Sequence, residues 1–130
     1  MEFFIDMKPP TVTAQEHKVM VRHGKPMFYD TAKLKEARSL FTAALRLHKP
    51  EEPFSGPVAL TVAWYFFSKI HQEGTYRTTR PDTDNLEKLL KDCMTAVGFW
   101  KDDSQVCVEN VIKCWSHKKT RDLYYCGVFR

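Results

Sequence analysis

The sequence predicts one α+β domain in which a small mixed β-sheet packs against two helices. Its 130 residues suit a single compact domain, and 43% of them are hydrophobic, enough for a core. Two segments repeat apolar side chains at helical spacing, and short β-branched and aromatic runs typical of strands surround them. After a first strand, the predicted order is β-hairpin-α-β-α-β-β, with all of residues 1–130 in one domain.

The N-terminal segment predicts a strand and then a β-hairpin. Residues 2–6 read as a strand that Pro9 and Pro10 end, because proline cannot continue a ladder. The extended runs 18–22 and 27–29 flank His23-Gly24-Lys25-Pro26, a turn sequence that contains glycine. A hairpin of this size is marginal alone, so it must lean on the domain or on a ligand.

Two apolar stripes predict the helices. The first helix is capped by Asp30 or Thr31 and runs to about His48, before Lys49-Pro50. The second runs from Asn85 to Val97, and Gly98 follows in the usual terminating position. The stripes consist of Leu34, Ala37, Phe41, Ala44 and Leu45, and of Leu86, Leu89, Leu90, Cys93, Met94 and Val97.

Three further segments complete the predicted sheet and its main loop. Residues 58–67 are almost all apolar, which predicts a central strand buried on both faces. Residues 105–115 and 123–129 alternate like two adjacent strands. Residues 68–81, which include a glycine and three threonines, form a loop that leads into Asp82.

Composition excludes several classes of protein. No stretch approaches the roughly 20 apolar residues of a membrane helix, and the start does not resemble a signal peptide, so we expect a cytoplasmic protein with no membrane partner. No His-x-x-x-His pattern occurs, which argues against zinc. The cysteines form no CxxC pair, and all four are predicted to be reduced and buried: Cys93, Cys107, Cys114 and Cys126.

The charges are unevenly distributed. The net charge is +4, yet residues 82–109 carry seven acidic residues against three lysines. An acidic segment in a cationic chain is typical of a metal-dependent enzyme that acts on phosphate esters. The same segment could instead place acids only to cap and solvate a helix.

Asp82 and Asp84 are the strongest metal-ligand candidates. If their segment is extended, the two side chains point the same way with Cα atoms roughly 7 Å apart, and such hard oxygen ligands suit Mg²⁺. Alternatively, Asp84 and Glu87 form a capping box, which leaves Asp82 unexplained. A calcium loop is excluded because Leu86 stands where that motif needs an oxygen ligand.

Lys88 and the pair Asp102-Asp103 extend the candidate site. Lys88 lies one turn after Asp84, where it either forms an ordinary ion pair or reaches a phosphate. One of the paired aspartates can cap or turn the backbone, so a structural role suffices for either, but two together beside Trp100 are harder to explain in that way.

Two motifs occur together in this chain: Asp-x-Asp-Asn-Leu-x-Lys at residues 82–88 and Trp-x-Asp-Asp-x-Gln-Val at residues 100–106. In this combination the chain resembles the RusA Holliday junction resolvases. The likeness is close from residue 80 to about 113. At the N-terminus the family often shows Pro-Pro-Ser-x-Asn, whereas this chain has Pro9-Pro10-Thr11-Val12-Thr13.

The resemblance implies an Mg²⁺-dependent homodimeric endodeoxyribonuclease that makes paired nicks with 5′-phosphate ends in four-way junction DNA during recombination and repair, with Mn²⁺ as a substitute ion. It implies that Asp82, Asp84 and Asp103 hold the metal, that Lys88 is the catalytic lysine, and that Asp102 is a candidate auxiliary.

DNA contacts are expected from cations around the acidic segment, with aromatic side chains as candidates to stack on unpaired bases. Tyr76 and Phe99 are those aromatics, although packing in the core or on the surface is the favoured interpretation for each. The expected phosphate contacts are Lys69, Arg77, Arg80, Lys113, Lys118, Lys119 and Arg121. Two other functions stay open: a non-catalytic branched-DNA-binding protein, and a Mg²⁺-dependent nucleotide transferase that uses Asp-x-Asp.

Overall fold

The computed structural model describes residues 1–11, 17–118 and 123–129, and its account of side chains covers 1–11, 23–25 and 31–118. The N-terminal motif residues 12–16 therefore lie outside the described part of the chain. The elements are β1 (Glu2–Asp6), β2 (His17–Arg22), β3 (Lys25–Asp30), α1 (Ala32–Arg46), β4 (Val58–Phe67), α2 (Thr83–Val97), a 3₁₀ turn (Asp103–Gln105), β5 (Val106–Ser116) and β6 (Leu123–Phe129).

The predicted α+β class and element order are confirmed. The main sheet has the order β1-β6-β4-β5, in which β4 pairs parallel with β5 and antiparallel with β6. The prediction that the last two strands are adjacent is wrong, since β4 lies between them. Alternation along a strand shows which side chains share a face, but it does not show which strand is the neighbour. The most apolar strand takes the centre.

Both helices pack on one face of this sheet. The predicted stripe of α2 is buried throughout, and so are Leu34, Ala37, Phe41 and Leu45 of α1. They meet the alternate side chains of β4 that include Leu60, Val62 and Trp64. The opposite face of β4 is half-buried, apart from buried Ala63, so the prediction of burial on both faces holds for one face only. With both helices on the same side, the described residues place no helix over the second face.

The predicted hairpin is also present. β2 and β3 pair antiparallel from His17↔Asp30 to Arg22↔Lys25. His23 and Gly24 have positive φ values of 51° and 75°, which match the right-handed twist of the flanking strands.

Cysteine burial is as predicted for Cys93 and Cys114, but Cys107 is exposed, because it follows the 3₁₀ turn where the pairing of β4 with β5 shifts register. These three are free thiols, and the side chain of Cys126 lies outside the description. No helix in the described ranges has the length and apolar character needed to cross a membrane.

Gly98 ends α2 as predicted, with a φ of 103° that other residues adopt with strain. A Cβ atom there would lie 3.3 Å from the Cε atom of Lys49.

We expect Gly98→Ala to lower the free energy of unfolding by about 1–2 kcal/mol, measured by urea denaturation. Gly98→Asn should lower the free energy of unfolding by less than Gly98→Ala does, and Gly98→Val should lower it by more. Equal stability of all three variants would contradict this account of the helix end.

Candidate metal centre

Asp82 and Asp84 stand at the start of α2 with their carboxylates uncommitted. The helix begins at Thr83, two residues earlier than predicted, so Asp82 is the N-cap residue and Asp84 lies in the first turn. Asp82 makes no side-chain capping bond, and the capping box proposed for Asp84 is therefore wrong. Both side chains are exposed, and within the described residues neither has a side-chain hydrogen bond or ion pair. Their charge is favourable here because a helix N-terminus carries partial positive charge.

The neighbouring residues Asp102 and Asp103 have different contacts. The Asp102 carboxylate accepts a 2.9 Å hydrogen bond from the Ser104 N–H, which lowers the pKa of Asp102. Gln105 completes a capping box by accepting from the Asp102 N–H, and its amide also donates to the carbonyls of Phe54 and Gly56. Asp102 therefore shapes the backbone, and the half-buried Asp103 carboxylate is left facing α2.

Lys88 connects Asp103 to the helix. Its Nζ atom lies 2.8 Å from Oδ1 of Asp92, one turn further along α2, and 3.9 Å from Oδ2 of Asp103. Arg38 of α1 approaches the other Asp92 oxygen at 3.8 Å. The hydrogen bond to Asp92 raises the pKa of Lys88, so the lysine is a cation at neutral pH.

The three predicted metal ligands are thus near one end of α2, but they are not a closed cluster. Asp103 reaches Lys88, which is one turn after Asp84. In the described part of the chain, no three Asp, Glu, His or Cys side chains lie close enough together to hold an ion. The donor chemistry fits a hard cation, since Asp82 and Asp84 offer exposed oxygens that nothing described competes for. An ion would have to draw the third carboxylate in.

The loop that delivers Asp82 is tied along the edge of β5. The N–H groups of Gly74 and Arg77 donate to the carbonyls of Trp115 and Lys113, and the Trp115 N–H donates to the Thr75 carbonyl, each at 2.9 Å. Backbone pairing therefore fixes the middle of the loop.

Arg77 and Lys113 are both predicted to contact DNA. In the structure their side chains form hydrogen bonds with this same loop. The Arg77 guanidinium lies 4.3 Å and 4.7 Å from the ring centres of Phe66 and Trp115 and donates to the Arg80 carbonyl. Lys113 Nζ donates to the carbonyls of Thr79 and Pro81 at 2.8 Å and 2.7 Å. The Arg80–Pro81 peptide bond within this segment is cis.

The remaining predicted DNA contacts have mixed positions. Lys69, Arg80 and Lys118 are exposed, while Lys119 and Arg121 lie outside the described residues. Tyr76 is 75% exposed, and Phe99 is fully buried in the core. A base cannot reach Phe99, so that stacking candidate is wrong, whereas Tyr76 stays a candidate.

The sequence profile described as "Endodeoxyribonuclease RusA" matches residues 9–121. The chain belongs to the RusA family. It is 36% identical over 108 residues to "Crossover junction endodeoxyribonuclease rusA" of Lactococcus phage r1t, covering 81% of this chain and 79% of the relative. It is also 34% identical over 110 residues to "Uncharacterized protein YqaN" of Bacillus subtilis (strain 168), covering 75% and 77%. Membership places it among endonucleases.

This RusA-family chain also contains a buried acid that the capping-box interpretation of the sequence missed. Glu87 is 2% exposed, and its Oε1 atom accepts a 2.7 Å hydrogen bond from the Trp64 indole. Among the described residues its Oε2 atom has no hydrogen-bond partner, and Glu87, Glu109 and Asp84 line one groove. Burial raises the pKa of Glu87 to about 8, with a further contribution from Glu109. The sequence offered one signal for this burial, namely that Glu87 is an acidic residue among the apolar residues of the α2 stripe.

The RusA-family chain should lose stability between about pH 4.5 and pH 8 because of Glu87. A carboxyl whose pKa rises from 4.5 to about 8 on folding holds its proton more tightly in the folded state. Its contribution is complete below the unfolded pKa and is lost as pH rises through the folded pKa, by at most about 1.4 kcal/mol per pH unit.

Glu87→Gln should remove that dependence and be the more stable protein at pH 8.5. The amide can still accept from Trp64, so the packing is matched. Chemical denaturation across this pH range, in the presence of a chelator, compares the two proteins. Parallel stability curves for both would contradict the protonated state of Glu87.

Proposed function

We propose that this chain is a Mg²⁺-dependent, structure-selective endodeoxyribonuclease that resolves four-way DNA junctions by paired symmetric nicks. The observation that carries the proposal is the approach of Asp103 to Lys88, one helical turn from the uncommitted Asp84. The name of the phage relative, a crossover junction endodeoxyribonuclease, supports the choice of substrate.

Asp82, Asp84 and Asp103 would hold the divalent ion, Mg²⁺ or in its place Mn²⁺. When bound, the ion supplies a Lewis acid that activates water for attack on the scissile phosphate. The exposed positions of Asp82 and Asp84 leave room for water and for a phosphate oxygen. Asp102 stays with the backbone that it caps, and it holds Asp103 in place.

Lys88 supplies a positive charge beside the reacting phosphate. Because its hydrogen bond to Asp92 keeps it protonated, it acts as an electrostatic partner of the phosphate oxygens and not as a base. Asp92 also limits the directions in which the ammonium can turn. The lysine therefore meets the substrate as a cation that is already oriented.

The exposed cations Lys69, Arg80 and Lys118 would hold flanking phosphates, with Lys119 and Arg121 proposed for the same role. A homodimer would bring two identical sites to opposed strands, which matches the near two-fold symmetry of a four-way junction. A non-catalytic DNA-binding protein would bind the same junction without a divalent ion and without product.

Asp82→Asn and Asp103→Asn should each abolish cutting and spare binding. Each change removes a ligand charge, so cleavage should fall by more than about 100-fold, beyond the loss typical of outer-shell partners. Junction affinity should hold or rise, because negative charge is removed from a DNA-binding surface. Gel-shift binding in Ca²⁺ and single-turnover cleavage in Mg²⁺ measure the two separately.

Asp102→Asn is the matched control for these variants. Asparagine caps a helix as well as aspartate does, so cleavage should stay within a few-fold of wild type. Full cleavage by both the Asp82 and the Asp103 variants would reject the proposed site. A wild-type protein that binds junctions and never nicks them in Mg²⁺ or Mn²⁺ would favour the non-catalytic alternative.

Asp92→Asn should slow cleavage by acting through Lys88. We expect a loss of roughly 10-fold, since partners that orient an active-site group typically contribute 10–100-fold. In a Lys88→Met background the same change should have almost no further effect, because the residue it orients is gone. Single-turnover rates of the four proteins form the cycle. Equal losses in both backgrounds would show that Asp92 acts independently of Lys88 and would contradict its orienting role.

A further inference from the structure

Three successive carbonyls before Asp82 are held by two cationic side chains. Lys113 Nζ donates to the carbonyls of Thr79 and Pro81 at 2.8 Å and 2.7 Å, and Arg77 donates to the carbonyl of Arg80 between them. The next carbonyl, that of Asp82, accepts from the Leu86 N–H and opens α2. The backbone from residue 79 to the start of the helix therefore has each carbonyl in a fixed direction.

The two cations are themselves anchored to the sheet. Lys113 lies on β5, opposite Trp64 of β4 in the parallel register. Arg77 lies over the rings of Phe66 and Trp115, which are themselves register partners, and its Nε–H donates to Thr79 Oγ1 at 3.1 Å. Cation–π contact and a charge-assisted hydrogen bond stabilise this arrangement together.

We propose that Lys113 and Arg77 are positioning residues that fix the turn carrying Asp82, and that they are not contacts to DNA phosphates. This inference rests on the proposed role of Asp82 as a metal ligand. Two of the three Lys113 N–H donors are bound to main-chain oxygens, which leaves a single N–H for any other acceptor unless those bonds break. We call Lys113 and Arg77 the clamp residues. Loss of either one would free the turn and weaken the binding of the ion by Asp82.

The test compares Lys113→Met with Lys69→Met, since both remove one lysine charge and Lys69 is exposed. Binding of a synthetic four-way junction is measured in Ca²⁺ at several salt concentrations. Binding of Mn²⁺ to the protein without DNA is measured by electron paramagnetic resonance. A phosphate contact contributes about 0.9 to the slope of log affinity against log salt, whereas a positioning residue contributes nothing.

For Lys113→Met we expect an unchanged salt slope and a Mn²⁺ half-saturation concentration raised roughly 10-fold. Lys69→Met should show the reverse, a shallower slope with normal Mn²⁺ binding. A shallower slope for Lys113→Met overturns the proposal whatever the Mn²⁺ result. Unchanged Mn²⁺ binding by that variant overturns it equally.

Arg77→Lys provides a second route should Lys113→Met fail to fold. It keeps the charge but loses the planar group that stacks and reaches the carbonyl. We expect weaker Mn²⁺ binding and faster hydrogen exchange over residues 74–82, with the salt slope preserved. Wild-type exchange and Mn²⁺ binding in this variant overturn the proposal. Wild-type protein that binds Mn²⁺ but cuts no junction would reject the nuclease mechanism and leave the clamp intact.

Discussion

The parallel pairing of β4 with β5 determines where the candidate site lies. Two parallel strands cannot be joined by a tight turn, so the chain must leave the end of β4 and travel back to the start of β5. Residues 68–105 make that crossover, and they contain Asp82, Asp84, Lys88 and Asp103. One connection thus supplies both ends of α2 and the 3₁₀ turn. A hairpin between the strands would have left no room for any of these residues.

Local features of this fold could be predicted from the sequence, and relations between strands could not. The stripe of α2 and the glycine at its end depend on residues a few positions apart, and both are as predicted. The position of β6 depends on competition among all strands for the most apolar one, which no local pattern encodes. Phe99 failed as a stacking candidate for a related reason, because its motif shows an aromatic but not its burial.

In the candidate site, too, the sequence indicated which residues to consider but not which groups they contact. The motif selected candidate side chains at the start of α2, yet it did not assign their partners. Asp84 looked like a cap, but the helix begins one residue before it and leaves its carboxylate uncommitted. Lys113 and Arg77 are predicted DNA contacts because a lysine or arginine in a basic chain is usually solvated. Their actual hydrogen bonds depend on the return path of the loop along β5.

Pairing also concentrates the negative charge of the acidic segment on the predicted ligands. Formally, residues 82–109 carry seven acids and three lysines. Burial keeps Glu87 largely protonated at neutral pH, Lys88 offsets Asp92, and Lys91 offsets Glu109 at 3.2 Å. What remains is Asp82 and Asp84 at the helix start, with Asp102 and Asp103 at the 3₁₀ turn, where Asp103 lies 3.9 Å from the Lys88 ammonium that Asp92 already binds.

The least compensated acids of this segment, among the described residues, are therefore the four aspartates of the motif, and the nearby charge of Lys113 also acts on Asp82. A divalent cation entering this region meets attraction from those residues, while the groove behind them is already neutral. A DNA strand that approached α2 as proposed would meet less repulsion along this groove than at the helix start. A divalent ion bound there would reduce this negative charge without cancelling it, and so would weaken the repulsion that an approaching phosphate meets.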